Sequence, residues 1–146
     1  MKNRLAILTF AILSAVTTMS PASTLADEND VDAVRAAADK FYVALNTMFV
    51  GDLGPMINVW SHSSDVTFMG PDGGRRVGWD QVLADWESQA ALKLGGEVRA
   101  ERMHITLEGN LAVVNNFEVG QNISADGKAE KVEIRATNVF RKENGK

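Results

Sequence analysis

Residues 98–141 have the sequence VRAERMHITLEGNLAVVNNFEVGQNISADGKAEKVEIRATNVFR. They contain three long runs of β-prone residues: Val98 to Leu107, Leu111 to Gly120 and Ala129 to Arg141. Gly109-Asn110 separates the first two runs and Ser124-Ala125-Asp126-Gly127 the last two, and both segments are typical of hairpin turns. The pattern therefore predicts an antiparallel meander of three strands.

The chain before this meander is predicted to be mainly helical. Apolar side chains recur every three or four residues from Asp30 onward, as Val34, Ala38, Phe41, Leu45 and Met48. This spacing predicts one amphipathic helix that ends at Gly51-Asp52. Leu53 to Trp60 is predicted to form a short second helix, and residues 79 to about 92 a third.

A hairpin is predicted between the second and third helices. Asp65 to Met69 and Arg75 to Val77 are rich in β-prone residues, and Gly70 to Gly74 between them is dense in turn residues. Helices that come first and strands that come last indicate an α+β domain, in which a curved antiparallel sheet wraps over the helices.

Composition narrows the range of functions. The chain has 146 residues, which is room for one ordinary domain, and its formal net charge is −4. Negative charge disfavours nucleic acid as a partner. The absence of cysteine excludes disulfides, thiolate metal sites and cysteine nucleophiles.

Residues 1–26 are predicted to be a secretory signal peptide. Lys2 and Arg4 precede the apolar run Leu5 to Val16, and Ala26 ends a small-residue cleavage site. The alternative is a membrane anchor, but this run rises only about 18 Å as a helix, against about 30 Å of hydrocarbon. We expect the mature chain to be periplasmic or secreted, without stable membrane association after cleavage.

Three segments resemble the SnoaL-like proteins of the nuclear transport factor 2 superfamily. They are WSHSSDVTFMGP at residues 60–71, Gly78-Trp79-Asp80 at the start of a helix, and RATNVFRKENGK at residues 135–146. The resemblance implies that residues 27–146 form a cystatin-like cone, in which three helices and a strongly curved sheet enclose one deep, mostly apolar pocket. Members of the superfamily include ketosteroid isomerase, scytalone dehydratase, polyketide cyclases and limonene epoxide hydrolase, beside domains that catalyse nothing, so the fold does not fix the function.

Two departures from the superfamily bear on these expectations. Such proteins continue after a hairpin like Gly145-Lys146 into a last strand, which is missing here, and we expect the sequence to be a fragment of a longer chain. The alternative is a sheet that lacks this strand and leaves the Ala129–Arg141 run as an open edge. Gly70 stands where the catalytic Asp of ketosteroid isomerase would be, and Phe41 aligns with its tyrosine, which leaves Tyr42 turned by about 100°. We expect no ketosteroid isomerase activity.

His62 and Asp65 are the predicted catalytic residues. They lie three positions apart where the second helix meets the first strand, and a His–Asp pair can act as a general base and its orienting partner. The alternative is a histidine bonded to backbone. His104 has apolar neighbours at alternate positions in its strand, which predicts that it faces away from the pocket.

The predicted ligand-binding residues combine aromatic walls and polar anchors: Trp60, Phe68, Trp86, Asn116, Glu118, Arg135 and Thr137. Asn116 and Glu118 share one strand face, and Glu133, Arg135 and Thr137 share one face of the next. We expect both sets to point inward, with Glu118 paired to Arg135. The alternatives are a salt bridge on the solvent face of the sheet and, for the aromatic residues, an ordinary core.

The predicted function is binding of a small hydrophobic molecule. No histidine has a second ligand at metal-binding spacing and no nucleotide motif occurs, so neither a metal nor a cofactor is expected. Catalysis, if present, would be isomerase or lyase chemistry by proton transfer on a cyclic hydrophobic substrate. The alternative is a non-catalytic ligand-binding or dimerisation module. A homodimer through the sheet is expected in either case.

Overall fold

The computed structural model describes residues 28–70 and 73–145 and has an α+β fold with an antiparallel sheet, as predicted. The predicted signal peptide lies outside these residues. The described part contains three helices, α1 (Glu28–Phe49), α2 (Gly54–Val59) and α3 (Trp79–Leu92). It also contains five strands, β1 (Thr67–Met69), β2 (Arg75–Val77), β3 (Gly96–Glu108), β4 (Leu111–Ile123) and β5 (Ala129–Arg141). In this part of the chain, no helix is both long enough and apolar enough to cross a membrane.

Helix α1 packs one face of its second half into the core. Its buried residues are Ala38, Tyr42, Ala44, Leu45 and Met48. Val43, on the opposite side, is 65% exposed. Ala38, Leu45 and Met48 of the predicted stripe are buried as expected. Phe41 is only partly buried at the margin of the core, and Tyr42 is buried in its place.

The core lies where the helices meet the sheet. Met48 of α1, Met56 of α2 and Val82 of α3 are all 0% exposed. Asn46 fixes α1 to the sheet through two hydrogen bonds, because its Nδ2 donates to the Val98 carbonyl oxygen at 2.9 Å and its Oδ1 accepts from the Val98 N–H at 2.9 Å. These bonds set the register of the helix against β3.

The main sheet has the order β3-β4-β5, and both pairings are antiparallel. On β4, Ala112, Val114 and Asn116 are buried and alternate with less buried residues, so even-numbered side chains face the helices. We call this the inner face and the opposite one the outer face. The register pairs Asn116 with Ala136 and Glu118 with Ile134, so even-numbered residues of β5 also lie on the inner face.

Strand β3 contains a bulge between Glu101 and His104, where it has one more residue than β4. Arg102 adopts a positive φ of 54° inside it and places its guanidinium 3.9 Å above the Phe117 ring on the outer face. Because of the bulge, even-numbered residues of β3 face inward before it and odd-numbered residues face inward after it. Val98 faces inward before it and Ile105 after it, since Ile105 pairs with the inward Val114.

Strands β1 and β2 form a separate two-stranded sheet. The segment that leads into β1 is bonded to the main sheet, because Arg141 at the end of β5 donates to both carboxylate oxygens of Asp65, at 2.7 and 3.0 Å. Within the described residues, β1 pairs with β2 alone and β5 with β4 alone, so one edge of each strand is open.

Candidate functional site

The inner face of β4 changes from apolar to polar along its length. Ala112 and Val114 are 2% and 0% exposed and belong to the apolar interior, but the next two inward residues are Asn116 and Glu118. Asn116 is 4% exposed and Glu118 is half-buried. Because buried polar groups require hydrogen-bond partners, this part of the sheet depends on what α1 presents to it.

Tyr42 of α1 supplies those partners through a single oxygen atom. Its hydroxyl donates to Glu118 Oε1 at 3.1 Å and accepts from Asn116 Nδ2 at 2.8 Å. Asn138 of β5 donates to the same oxygen at 3.4 Å. One helix and two strands therefore converge on one hydroxyl, and we call Tyr42, Asn116, Glu118 and Asn138 the inner polar cluster.

Burial dominates the electrostatics of this cluster. Burial and, to a smaller extent, the nearby Glu118 carboxylate together raise the pKa of Tyr42 to about 12. Burial also raises the pKa of Glu118 above its ordinary value of 4.5, while the hydrogen bond from Tyr42 opposes the rise. Glu118 is thus a partly desolvated carboxylate that is held by a neutral donor.

Some hydrogen-bond acceptors of the cluster have no partner among the described residues. Asn116 Oδ1 is buried and has no partner among the described residues. Tyr42 is the one side chain that bonds the Glu118 carboxylate in the described part of the chain, and it occupies Oε1. The sheet neighbours of Glu118 are Ala100 and Ile134, so neither supplies a cation.

An apolar surface adjoins the cluster on β5. Ile134 lies on the inner face beside Glu118, yet it is 48% exposed. Ala136 and Asn138, which continue the same face, are only half-buried. The inner face is therefore closed from Ala112 to Asn116 of β4 and partly exposed from Ile134 to Asn138 of β5.

The expected inward position of Arg135 and Thr137 is wrong, and so is the expected Glu118–Arg135 pair. The register places Arg135 opposite Phe117 and Thr137 opposite Asn115, which are outer-face residues. Both side chains are exposed, and so is that of Glu133, which forms an ion pair with Lys131. Asn116 and Glu118 do point inward as expected, but their partner is Tyr42.

The expected His62–Asp65 catalytic pair does not form. Nε2 of His62 lies 2.9 Å from the Ile57 carbonyl oxygen, and the ring stacks on Trp79 at 4.0 Å between centroids. Asp65 is exposed and bonds Arg141 and Ser63, which hold the pKa of its carboxyl well below the usual range. A carboxylate so strongly stabilised is a poor base, and it does not orient His62.

The predicted aromatic residues form one cluster in the core. The Trp60 ring lies 6.1 Å from Phe68 and 5.6 Å from Trp86, and Phe68 lies 4.2 Å from Trp86. Trp86 is 2% exposed, and its Nε1 has no partner among the described residues. Core packing, the alternative offered by the sequence, accounts for these contacts.

Two cavities lie elsewhere on the domain. One of about 200 Å³ is apolar and separates the first half of α1 from Leu107, Ala112 and Phe140. The other, of about 500 Å³, is polar and lies between Trp60 and Glu143. Neither is lined by the inner polar cluster. Across the described residues, no group of three or more His, Asp or Glu side chains could hold a metal ion.

Sequence reasoning missed Tyr42 and Asn138 as members of the site. Tyr42 lies four residues after Ala38 and three before Leu45, both buried, so helical spacing alone could have placed it on the buried face. The expectation that it turns aside is wrong. His104, in contrast, is exposed on the outer face opposite Asn115, as predicted.

Comparisons with known proteins agree with this architecture. A family model described as a SnoaL-like domain matches residues 34–146. An NTF2-like family protein from Streptomyces avermitilis is 22% identical and has a TM-score of 0.68, over 80% of this chain and 88% of its own. An NTF2-like protein of unknown function from Pseudomonas putida KT2440 is 15% identical with a TM-score of 0.67, over 82% and 81%. A nuclear transport factor 2 superfamily protein from Salmonella enterica is 15% identical with a TM-score of 0.61, over 76% and 83%. No curated protein matches the chain.

Proposed function

We propose a small-molecule-binding function on the premise that the chain belongs to the SnoaL-like family of the nuclear transport factor 2 superfamily. The ligand lies against the inner face of β5, with its apolar part on Ile134 and Ala136 and its polar part at the inner polar cluster. The buried Asn116 amide, which has an unpartnered oxygen beside an accessible apolar surface, carries this proposal. The deep cone-shaped pocket implied by the family is part of the same proposal.

A matched pair of variants on β5 tests where the ligand lies. Ala136→Leu fills the inner face, whereas Thr137→Leu adds a comparable side chain to the outer face. Native mass spectrometry of the purified protein detects a retained small molecule. We expect Ala136→Leu to lose it and Thr137→Leu to keep it. Equal retention by both variants would place the ligand elsewhere.

A second candidate function is metal-free isomerase or lyase chemistry by proton transfer on a cyclic hydrophobic substrate. The observation that favours it is Glu118, a half-buried carboxylate whose pKa is raised by burial and which bonds the Tyr42 hydroxyl. In D₂O, such a base would exchange the α-protons of cyclic ketones for deuterium. Exchange that exceeds a heat-killed control and disappears in Glu118→Gln supports catalysis, and its absence across a panel of ketones favours the non-catalytic alternative.

A β,γ-unsaturated ketosteroid is expected to show no turnover, because Gly70 cannot accept a proton.

We also propose a homodimer that forms through the outer face. Val139 is 66% exposed there, beside the half-buried Val113 with which it pairs. Val139→Lys is expected to shift the protein from dimer to monomer in light scattering after gel filtration. Glu133→Lys, which changes an exposed residue six register pairs away from Val139 on the same face, serves as a charge control.

Export is proposed from residues 1–26. Amino-terminal sequencing of the protein recovered from the periplasm or the medium is expected to give Asp27 as the first residue. Recovery of Met1 on membrane-bound material would contradict the proposal.

A further inference from the structure

The inner polar cluster contains acceptor oxygens that have no partner among the described residues. The Tyr42 hydroxyl donates to Glu118, and the amides of Asn116 and Asn138 both donate to Tyr42. Each of these three donor groups therefore makes at least one hydrogen bond within the cluster. Asn116 Oδ1 and Glu118 Oε2 remain without partners in the described part of the chain, and both are acceptors.

The cluster also carries an uncompensated negative charge. Three elements pack around Glu118, and the groups that they present to it are Tyr42 from α1, Ala100 from β3 and Ile134 from β5. None of these is cationic. Arginine residues are present in the sheet, but Arg135 is exposed on the outer face and Arg102 stacks on Phe117 there.

The two unused acceptors belong to neighbouring side chains on the inner face of β4. Asn116 and Glu118 are both in contact with the same Tyr42 oxygen, and they are successive inward residues of one strand. A ligand atom that lies between these side chains and donates two hydrogen bonds would satisfy both. A protonated amine has this capacity and also carries the missing positive charge, whereas a hydroxyl has one proton and no charge.

We infer that the ligand of this site is a small hydrophobic amine, bound as its ammonium ion between Asn116 Oδ1 and the free oxygen of Glu118, with its apolar body on Ile134 and Ala136. This inference rests on the proposed small-molecule function and narrows its ligand class. In such a complex Glu118 acts as a counter-ion and not as a base.

Three ring compounds that share one apolar body test the inference. Benzylamine, benzyl alcohol and benzoate present a cation, a neutral donor and an anion on the same ring. Titration calorimetry of the full chain near neutral pH is expected to rank benzylamine above benzyl alcohol by about tenfold to a hundredfold, because charge-assisted hydrogen bonds are the stronger ones. Benzoate is expected not to bind.

Glu118→Gln removes the charge and preserves the acceptor for Tyr42. In this variant benzylamine affinity is expected to fall to that of benzyl alcohol, while benzyl alcohol affinity stays within about twofold. Glu133→Gln removes a carboxylate from the outer face and is expected to leave the affinities for benzylamine and benzyl alcohol unchanged. Circular dichroism and thermal melting of each variant separate loss of binding from loss of folding.

The possible failures are distinct. If benzyl alcohol binds the wild type as tightly as benzylamine, or if Glu118→Gln leaves the benzylamine preference intact, the amine inference is wrong while the small-molecule function stands. If no member of the panel binds and Ala136→Leu also retains whatever co-purifies, both proposals are wrong.

Discussion

The two faces of β4 give asparagine side chains different environments. On the outer face, Asn115 bonds the Thr137 hydroxyl on the neighbouring strand at 2.9 Å, and both residues are exposed. On the inner face, Asn116 is 4% exposed and bonds Tyr42, which lies 74 positions away along the chain. Water can replace the outer partner but not the inner one. Stability and ligand chemistry should therefore respond to inner-face changes far more than to outer-face changes.

The most severe test of this comparison places a charge on each face. Val114→Asp puts an unpaired carboxylate at a position that is 0% exposed, and it is expected to lower the free energy of unfolding by more than about 3 kcal/mol. Asn115→Asp makes a near-isosteric change next to it on the outer face. It is expected to stay within about 0.5 kcal/mol, since the Thr137 hydroxyl can donate to the new carboxylate. Urea denaturation of both variants measures the difference, and similar losses would show that the faces are not distinct.

Removal of one hydroxyl from each face gives a smaller contrast. Tyr42→Phe leaves Asn116 and Glu118 without their shared partner, so the free energy of unfolding is expected to fall by about 1–3 kcal/mol. Thr137→Val removes the exposed acceptor of Asn115 and is expected to change it by less than about 0.5 kcal/mol. A Tyr42→Phe variant as stable as the wild type would mean that water satisfies the cluster.

The pH dependence of Glu118 sharpens the comparison further. Its pKa is raised in the folded state, so the folded protein binds the proton more tightly than the unfolded chain does. Its contribution to stability is therefore greatest below its unfolded pKa, near 4, and is lost as pH rises through the folded pKa. Glu118→Gln removes this dependence, so its stability relative to the wild type should increase from pH 4 towards neutrality. The same unfolding curves, recorded over this range, decide the sign.

The exposed ion pairs are expected to have the smallest effect on stability. Arg141 lowers the pKa of Asp65 and Glu143, so these carboxylates stabilise the folded state above their unfolded pKa values, and the contribution is lost as pH falls through the folded values. Arg141→Gln is expected to return the pKa of Asp65 towards the ordinary range with little change in melting temperature, because solvent screens exposed pairs. Carboxyl NMR titration follows Asp65. An unchanged titration would show that Ser63 alone holds it.

The sequence predicted the fold well because its signals are local. Helical spacing around Ala38 and Leu45, hairpin turns at Gly109-Asn110, and strand alternation in β4 each depend on neighbouring residues. These signals identified all three helices and five strands of the described residues, with boundaries shifted by a few positions.

The site was harder to predict because it depends on how the strands pair. Alternation places Arg135 and Thr137 on one face of β5, but only the register with β4 determines which face that is. The partner of Glu118 comes from a helix 76 positions earlier in the chain, and no short-range pattern joins it to Tyr42. Asp65 and Arg141 are equally distant, so the contact that separates Asp65 from His62 was also invisible in the sequence.

The bulge in β3 changes which residues of the strand face the helices. Between Glu101 and His104 one additional residue changes the inward set from even to odd numbers, so that Val98 and Ile105 can both face the helices. Deletion of Arg102 would give the whole strand a single alternation of inward and outward residues. The apolar residues on one side of the bulge would then point to solvent. A one-residue change of length inside β3 therefore alters which of its side chains face the helices. Any relative that lacks this residue must exchange its apolar and polar positions on one side of the gap.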